Sequence, residues 1–281
     1  MERPKVTIAQ LQQMADAGHR ITMLTAYDYP MGRLLDAAGV EVVLVGDSLA
    51  MVVLGHESTT AVTMEEMLHH AKAVRRGVTE ALLVGDMPFG SFQMGDEAAV
   101  RNAARFVKEA GCDAVKIEWT PGIEQTATAI VRAGILVMGH VGLTPQTASS
   151  QGGFTVQGRD AASAQRILHA ALALEQAGCF AMVLECIPSP LAALITERLR
   201  VPTIGIGAGP DCDGQVLVTH DLLGLFDRFT PKFVKQYANV STVITDAVEH
   251  FRRDVQAGQF PTAAQSYGMS DEALKSLQRS A

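Results

Sequence analysis

The sequence predicts an α/β protein: a single (β/α)8 TIM barrel with an N-terminal helix and a C-terminal extension, residues 1–281 forming one catalytic domain. Three observations lead there. Short apolar runs alternate with amphipathic helical stretches eight times along the chain. The length, 281 residues, suits a barrel of this kind, which usually takes about 250. Polar and charged residues recur at the C-terminal end of one apolar run after another, the face on which such barrels build their sites.

Taken in order, Thr7–Ala17 reads as an amphipathic helix suited to plugging the barrel floor. Ile21–Ala26 is the first strand, ending at Tyr27-Asp28, and Pro30–Ala38 a helix closed by Gly39. Val42–Val45 is a continuous apolar run, the mark of a parallel strand buried on both faces. The long loop after it, with Gly55–Thr60, has the character of a segment that lines or covers a site. Thr63 caps a helix over Met64–Arg76, and Glu66 completes a capping box. Strand three is Ala81–Val84, followed by a helix, Glu97–Ala110, that Gly111 stops. Strand four is Ala114–Ile117, and the helix Ile123–Ala133 after it ends at Gly134. Strand five, Leu136–Met138, leads to Gly139-His140. A Gln/Ser/Gly-rich loop, Thr147–Gly158, precedes the long helix Ala161–Ala177. Strand six (Phe180–Leu184), a short helix (Leu191–Leu199) and strand seven (Pro202–Ile206) follow. Strand eight, Gln215–Thr219, ends at His220-Asp221. Phe226–Tyr237 fits neither period, Val240–Ala257 is a last helix, and the tail from Phe260 is an appendage.

Composition excludes several classes. Apolar residues make up 48% of the chain, enough for a large core. A net charge of −7 argues against non-specific nucleic-acid binding. Met1–Lys5 lacks the apolar centre of a signal peptide, and no run approaches the roughly 20 apolar residues of a membrane span. Four cysteines, without a CxxC pair, argue against disulfides and structural zinc. A cytoplasmic protein is expected.

Asp28, Asp47, Ser48, Asp86, Lys116, Glu118, His140 and Glu185 all fall at or near strand C-termini. Asp47 follows Val42–Val45-Gly46, and Asp86 follows Leu82–Val84-Gly85 in the same pattern. In one parallel sheet both acids emerge at the same edge, where two like charges need a proton or a cation between them. On strand four Lys116 and Glu118 alternate with Val115 and Ile117, so both charged groups point toward the barrel axis. A salt-bridged pair is the plainer account of these two, and convergence with Asp47 and Asp86 favours a site. Asp47, Asp86 and Glu118 offer oxygen ligands without soft sulfur, which suits Mg2+. A metal beside a lysine is able to hold a small 2-oxo acid and draw charge onto its keto oxygen. Glu185, alone at the end of an apolar strand, is the natural base for the adjacent proton, with helix capping or an arginine pair as its alternatives. Met138 and Met182 are candidates to line an apolar pocket, although buried methionines on strands are commonly plain core.

Other features read blandly. Gly205, Gly207 and Gly209 have the wrong spacing for a nucleotide fingerprint and indicate tight turning at the barrel mouth or close backbone approach of substrate. His69-His70 read as surface or interface residues and Cys186 as packing, while Arg75-Arg76 and Arg252-Arg253 read as solvated helix faces.

Five segments together carry a family resemblance: Val45–Leu49, Val84–Phe89, Val115–Glu118, Gly139–Gln146 and Glu185–Pro188. With Ile204–Gly209 and His220–Gly224, the set resembles the 3-methyl-2-oxobutanoate hydroxymethyltransferase (ketopantoate hydroxymethyltransferase) family from about Thr22 to Tyr267. The resemblance implies a Mg2+-dependent barrel of pantothenate biosynthesis, on the route to coenzyme A. Such an enzyme moves a hydroxymethyl group from 5,10-methylenetetrahydrofolate to 3-methyl-2-oxobutanoate. It implies Asp47 and Asp86 as metal ligands, Glu118 as the third acid of the metal site, Ser48 and Lys116 as substrate contacts and Glu185 as proton acceptor. His140 matches a histidine near the substrate. The resemblance also implies a homodecamer. The implied partners are therefore a small 2-oxo acid and a folate, with no nucleic acid and no membrane. A lyase or mutase of the isocitrate lyase type and a barrel retained only for binding remain as alternatives, the first lacking its expected reactive-cysteine loop here.

Overall fold

The computed structural model of the protein describes residues 4–280; Met1–Arg3, part of the N-terminal stretch considered above, and Ala281 lie outside the described residues. Eight parallel strands close a barrel in chain order. They are β1 (Ile21–Thr25), β2 (Val42–Val45), β3 (Leu82–Asp86), β4 (Ala114–Glu118), β5 (Leu136–Gly142), β6 (Ala181–Glu185), β7 (Thr203–Ile206) and β8 (Gly214–Leu217). The helices, in order, are α1 (Ile8–Asp16), α2 (Tyr29–Ala37), α3 (Leu49–Val52), α4 (Met64–Arg75), α5 (Asp96–Ala110) and α6 (Ile123–Arg132). Then come α7 (Ala161–Gln176), α8 (Ser189–Arg198), α9 (Thr219–Leu222), α10 (Val240–Gln256) and α11 (Asp271–Ser280). The expected (β/α)8 barrel is what forms. Among the described residues no helix is long and apolar enough to cross a membrane.

Every expected strand is present, and the differences lie at the ends. β5 runs on to Gly142, because β4 and β6 supply ladder partners that far, pairing Glu118 with His140 and Gly142 with Glu185. His140 is therefore a strand residue, not the first residue of a loop. Leu49–Val52 and Pro145–Gln151 are a short helix and a 3-10 stretch where loops were expected. The capping box of α4 forms as read: the Thr63 hydroxyl accepts from the Glu66 N–H at 3.2 Å, and the Glu66 carboxylate from the Thr63 N–H at 2.8 Å.

Alternation along the strands separates two apolar layers. Inside the barrel lie Ile21, Met23, Val42, Leu44, Leu82, Val84, Met138, Val183 and Val216. Outside, Val43, Leu83, Val115, Val137, Met182 and Leu184 meet the helices. Gly85 belongs to the outer set: a Cβ there would lie 2.4 Å from the Phe106 ring, so glycine is what lets α5 seat against β3.

One seam is uncovered. On β1 and β8, Thr22 and Gln215 are exposed and Leu24 and Leu217 half-buried, in register as neighbours. The helix that would cover them in a regular barrel is α10, yet α10 buries none of its residues and exposes Val243, Ile244, Val248, Phe251 and Val255.

Two surface readings are corrected. Arg75 is not a solvated side chain: its guanidinium donates to the carbonyls of Val78 and Gly111 and pairs with Asp113 at 3.2 Å. His70 Nδ1 sits 2.6 Å from the Tyr27 carbonyl and ties α4 to the end of β1, while His69 is exposed.

Asp36, at the end of α2, accepts from the backbone N–H groups of Thr79, Glu80 and Ala81, which lead into β3. Its carboxyl is held below the usual range by those donors, which outweigh the cost of burial. Asp36→Ala leaves these N–H groups without their acceptor and is expected to cost about 2–3 kcal/mol in urea unfolding. A loss under 0.5 kcal/mol, on the same scale, would show the contact to be dispensable.

Candidate active site

A cavity of about 480 Å³ opens at the C-terminal end of the barrel. Its floor is charged. Asp47 follows β2, Asp86 ends β3, Lys116 and Glu118 stand on β4, His140 on β5 and Glu185 ends β6, and all six line the cavity with Ser48. Register accounts for the convergence: Asp86 pairs across the ladder with Lys116, and Glu118 with His140.

Lys116 Nζ lies 2.9 Å from Asp86 Oδ1 and 3.2 Å from His140 Nδ1. Burial alone would discharge this ammonium, but Asp86, Glu118 and Asp47 outweigh it and keep its pKa above the ordinary lysine value. Burial pushes the Asp86 carboxyl up to about 7 against the pull of Lys116, with the Asp47 charge adding to the rise. Glu118 is driven well above the usual carboxylate range, by burial first. His140 is driven well below its usual value by burial and by the Lys116 charge, so its imidazole is neutral at pH 7. With Lys116 facing Nδ1, the ring proton belongs on Nε2, which lies 3.1 Å from Glu185 Oε2 without the alignment of a hydrogen bond. Burial raises Glu185 to about 7. Neither alternative for Glu185 holds: it caps no helix and pairs with no arginine among the described residues.

Several expected residues lie elsewhere. Asp28 caps α2, accepting from the Met31 N–H at 2.8 Å, and is exposed. Neither methionine lines the cavity. Met138 stands one layer below, beside Lys116 in the ladder, and Met182 points outward against Gly139 and Leu174. The apolar wall of the floor is instead Val183, Ile206 and Val216. The glycines after β7 turn the chain as expected: Gly207 and Gly209 have φ of +63° and +86°, and a Cβ on Gly209 would collide with Ser189. The Cys186 thiol is raised to about 12 by burial and by Glu185, consistent with packing and not nucleophilic chemistry.

Gln146 is the residue the sequence reading missed. Its buried amide Nε2 donates to Asp47 Oδ2 at 3.0 Å and to the Met87 carbonyl at 2.9 Å, and its backbone N–H donates to Glu118 Oε2 at 3.0 Å. A glutamine in a polar loop has no period to mark it. Tyr27 was also passed over: buried, it hydrogen-bonds Ser48 Oγ at 2.8 Å, its phenol raised by burial.

The floor fits a hydrated divalent ion better than a protein-caged one. Among the described residues no three Asp, Glu, His or Cys side chains converge enough to hold an ion by themselves. The available donors are carboxylate oxygens, and Glu118 Oε1 is buried without a hydrogen-bond partner. Mg2+ takes one or two carboxylates and completes its shell with water and substrate oxygens.

The sequence profile of the ketopantoate hydroxymethyltransferase family matches residues 5–263. The chain belongs to this family. The 3-methyl-2-oxobutanoate hydroxymethyltransferase of Moorella thermoacetica is 58% identical over 266 residues, covering 95% of this chain and 99% of that one. A ketopantoate hydroxymethyltransferase is a transferase with a one-carbon donor, so this chain is an enzyme. By structure, a phosphonopyruvate hydrolase complexed with oxalate and Mg2+ superposes with a TM-score of 0.60 at 14% identity, covering 98% of this chain and 95% of that one. A 2,3-dimethylmalate lyase of the PEP mutase/isocitrate lyase superfamily gives 0.58 at 12%, covering 98% and 99%. At such identities the likeness is one of fold.

Gln146→Leu keeps the bulk and removes two donors. Urea unfolding is expected to lose about 1–3 kcal/mol, whereas Gln93→Leu, whose amide reaches the Gln146 side chain at 3.3 Å, loses about 1 kcal/mol or less.

Proposed function

We propose that this chain transfers a hydroxymethyl group from 5,10-methylenetetrahydrofolate to 3-methyl-2-oxobutanoate, giving 2-dehydropantoate in pantothenate biosynthesis, with Mg2+ as its resident ion. The observation that carries this reading is the pairing, in one cavity, of a buried ammonium among carboxylates with a separate carboxyl raised to about 7 across a neutral histidine. Asp47 and Asp86 are the residues that would hold the ion, with Glu118 as the third acid beside them. When bound, the ion supplies electron withdrawal from the 2-oxo group and so acidifies the neighbouring C–H.

The remaining chemistry belongs to the chain. Lys116 supplies positive charge for the substrate carboxylate and for the negative charge that proton removal leaves. Ser48, fixed by Tyr27, offers a hydroxyl to the same end of the substrate. Glu185 takes the proton from C3, and a raised pKa makes it a competent base near neutral pH. His140, neutral, stands between Lys116 and Glu185, with its Nε2 3.1 Å from Glu185 Oε2. Val183, Ile206 and Val216 give the two methyl groups of C3 an apolar wall. Carbon–carbon bond formation joins C3 to the one-carbon unit released from the folate. Water releases the one-carbon unit at the aldehyde level, its oxygen going to carbon and its two hydrogens to N5 and N10 of the folate as both C–N bonds break. C3 adds to that carbon, and the proton held by Glu185 passes to the alkoxide formed.

The reading includes a cytoplasmic, homo-oligomeric enzyme, a decamer by family resemblance. The free thiols Cys112, Cys179 and Cys212, all buried, favour a reducing compartment. The uncovered β1–β8 seam and the exposed stripe of α10 favour a second copy as the cover. Val248→Asp is expected to shift the mass in analytical ultracentrifugation to smaller species; an unchanged mass would remove α10 from the interface.

Deuterium exchange at C3 of 3-methyl-2-oxobutanoate, followed by NMR in D2O with Mg2+ and no folate, tests the chemistry. Glu185→Gln is expected to slow exchange at least 100-fold. Glu185 accepts a proton only when ionised, so exchange rises with pH through about 7 and levels above it. Exchange equal in variant and wild type would assign the base elsewhere.

A further inference from the structure

The cavity is larger than the 2-oxo acid needs. A substrate of eight heavy atoms fills a small part of about 480 Å³, and the charged groups that suit it lie together on the floor. Above them the wall changes character. Phe154, Phe226, Phe229 and Phe233 line the outer part, and the one carboxylate among them is Asp221 on α9. The segment that carries three of these rings is the stretch from Phe226 to Tyr237 that fits neither secondary-structure period.

These rings are built into the mouth. Phe226 and Phe229 meet edge to face with centroids 5.5 Å apart. Phe233 sits over Gly207, where a Cβ would come within 2.8 Å of its ring, so the missing side chain is what seats it. Phe154 and Phe229 expose more than half of their surface, a costly display for a mouth that accommodates only a small acid. Asp221 is half-buried, and among the described residues no side chain hydrogen-bonds or pairs with it. Burial raises its carboxyl to about 6, so it is ionised at neutral pH and lacks a donor. Its position is fixed by α9, whose His220 packs on Tyr27 with ring centroids 5.3 Å apart.

We propose that this outer part of the cavity is the pterin subsite, in which Asp221 accepts hydrogen bonds from the N–H edge of the 2-amino-4-oxo ring and the phenylalanines hold its flat faces. The inference rests on the hydroxymethyl-transfer reading above and names where its one-carbon donor sits. The chemistry of the ligand matches the wall. A reduced pterin has two adjacent N–H donors on one edge, which a carboxylate meets in a paired fashion. Its ring faces take aromatic contact of the kind these side chains offer. Lys232 at the same mouth is a cation in a chain of net charge −7, placed for the glutamate carboxylates of the folate tail. The carbon donor then lies above the floor, on the side from which Glu185 and Lys116 are reached through the open end.

The test is isothermal titration of tetrahydrofolate and, separately, of 6-methyltetrahydropterin into the full chain with Mg2+ and 3-methyl-2-oxobutanoate. Asp221→Asn and Phe229→Leu are compared with wild type, and circular dichroism checks their fold. Asp221→Asn is expected to weaken both pterins at least tenfold. This loss exceeds any change in the keto acid's own dissociation constant at least fivefold. Phe229→Leu, at an exposed ring that a fold tolerates losing, is expected to weaken both pterins three- to tenfold. Equal pterin affinity in both variants would overturn the subsite. So would a loss confined to tetrahydrofolate with 6-methyltetrahydropterin unaffected, which would assign this wall to the tail. C3 deuterium exchange in wild type, run without folate, separates the two readings. Exchange without pterin binding rejects the subsite and leaves the keto-acid chemistry standing. Absence of both rejects the function and the subsite together.

Discussion

The structure depends on keeping one ammonium charged inside a barrel. Lys116 is almost fully buried, and removing a lysine from water without partners costs several kcal/mol, enough to discharge it. The fold answers with three carboxylates, of which Asp86 is in contact at 2.9 Å. That solution constrains everything near it. The acids need strands that end in register, the strands need a closed barrel, and the carboxylates need donors of their own. Gln146 supplies two of these, to Asp47 through its side chain and to Glu118 through its backbone. The 3-10 stretch Pro145–Gln151 is thereby fastened to the floor at the point where the charged groups converge.

The floor is also divided by its protonation. Lys116 stays charged and His140 stays neutral, both because of the same crowding, while Glu185 lies beyond His140 and is raised by burial. A charged ammonium and a carboxyl raised to about 7 thus stand close together without quenching each other. The intervening imidazole does this work. It faces the lysine with one nitrogen and the glutamate with the other.

Much of this was legible in the sequence, and what was not has physical reasons. Apolar runs bounded by turn residues marked the eight strands, most plainly β2 and β3, which are buried on both faces. They still marked β4 with its inward Lys116, and β1 and β8 with their exposed Thr22 and Gln215. Period two put Lys116 and Glu118 on the axis, and the strand-end rule assembled Asp47, Asp86, His140 and Glu185. Asp28 obeyed the same rule and failed: an acid just before a helix is also an N-cap, and the cap won. Met138 and Met182 were misjudged because period two gives a face but not a depth along the axis. Met138 is one layer too low, and Met182 is on the outer face. Gln146 and the aromatic mouth were invisible, since loop residues acquire their roles only from what the barrel brings opposite them. Arg75 read as solvated because helix periodicity does not reveal a neighbouring loop's carbonyls.

The alternation of the strands has a consequence for descent. Outward positions meet the helices and inward positions low in the barrel meet each other, so the two layers pack apart from the mouth. A barrel of this shape is also built by a phosphonopyruvate hydrolase at 14% identity, a likeness of fold. What inheritance has to preserve in such a fold is a register, in which a strand end meets its neighbour's, more than any list of apolar residues. A single-residue slip on β4 would turn Lys116 and Glu118 into the helices and erase the site while leaving the barrel recognisable.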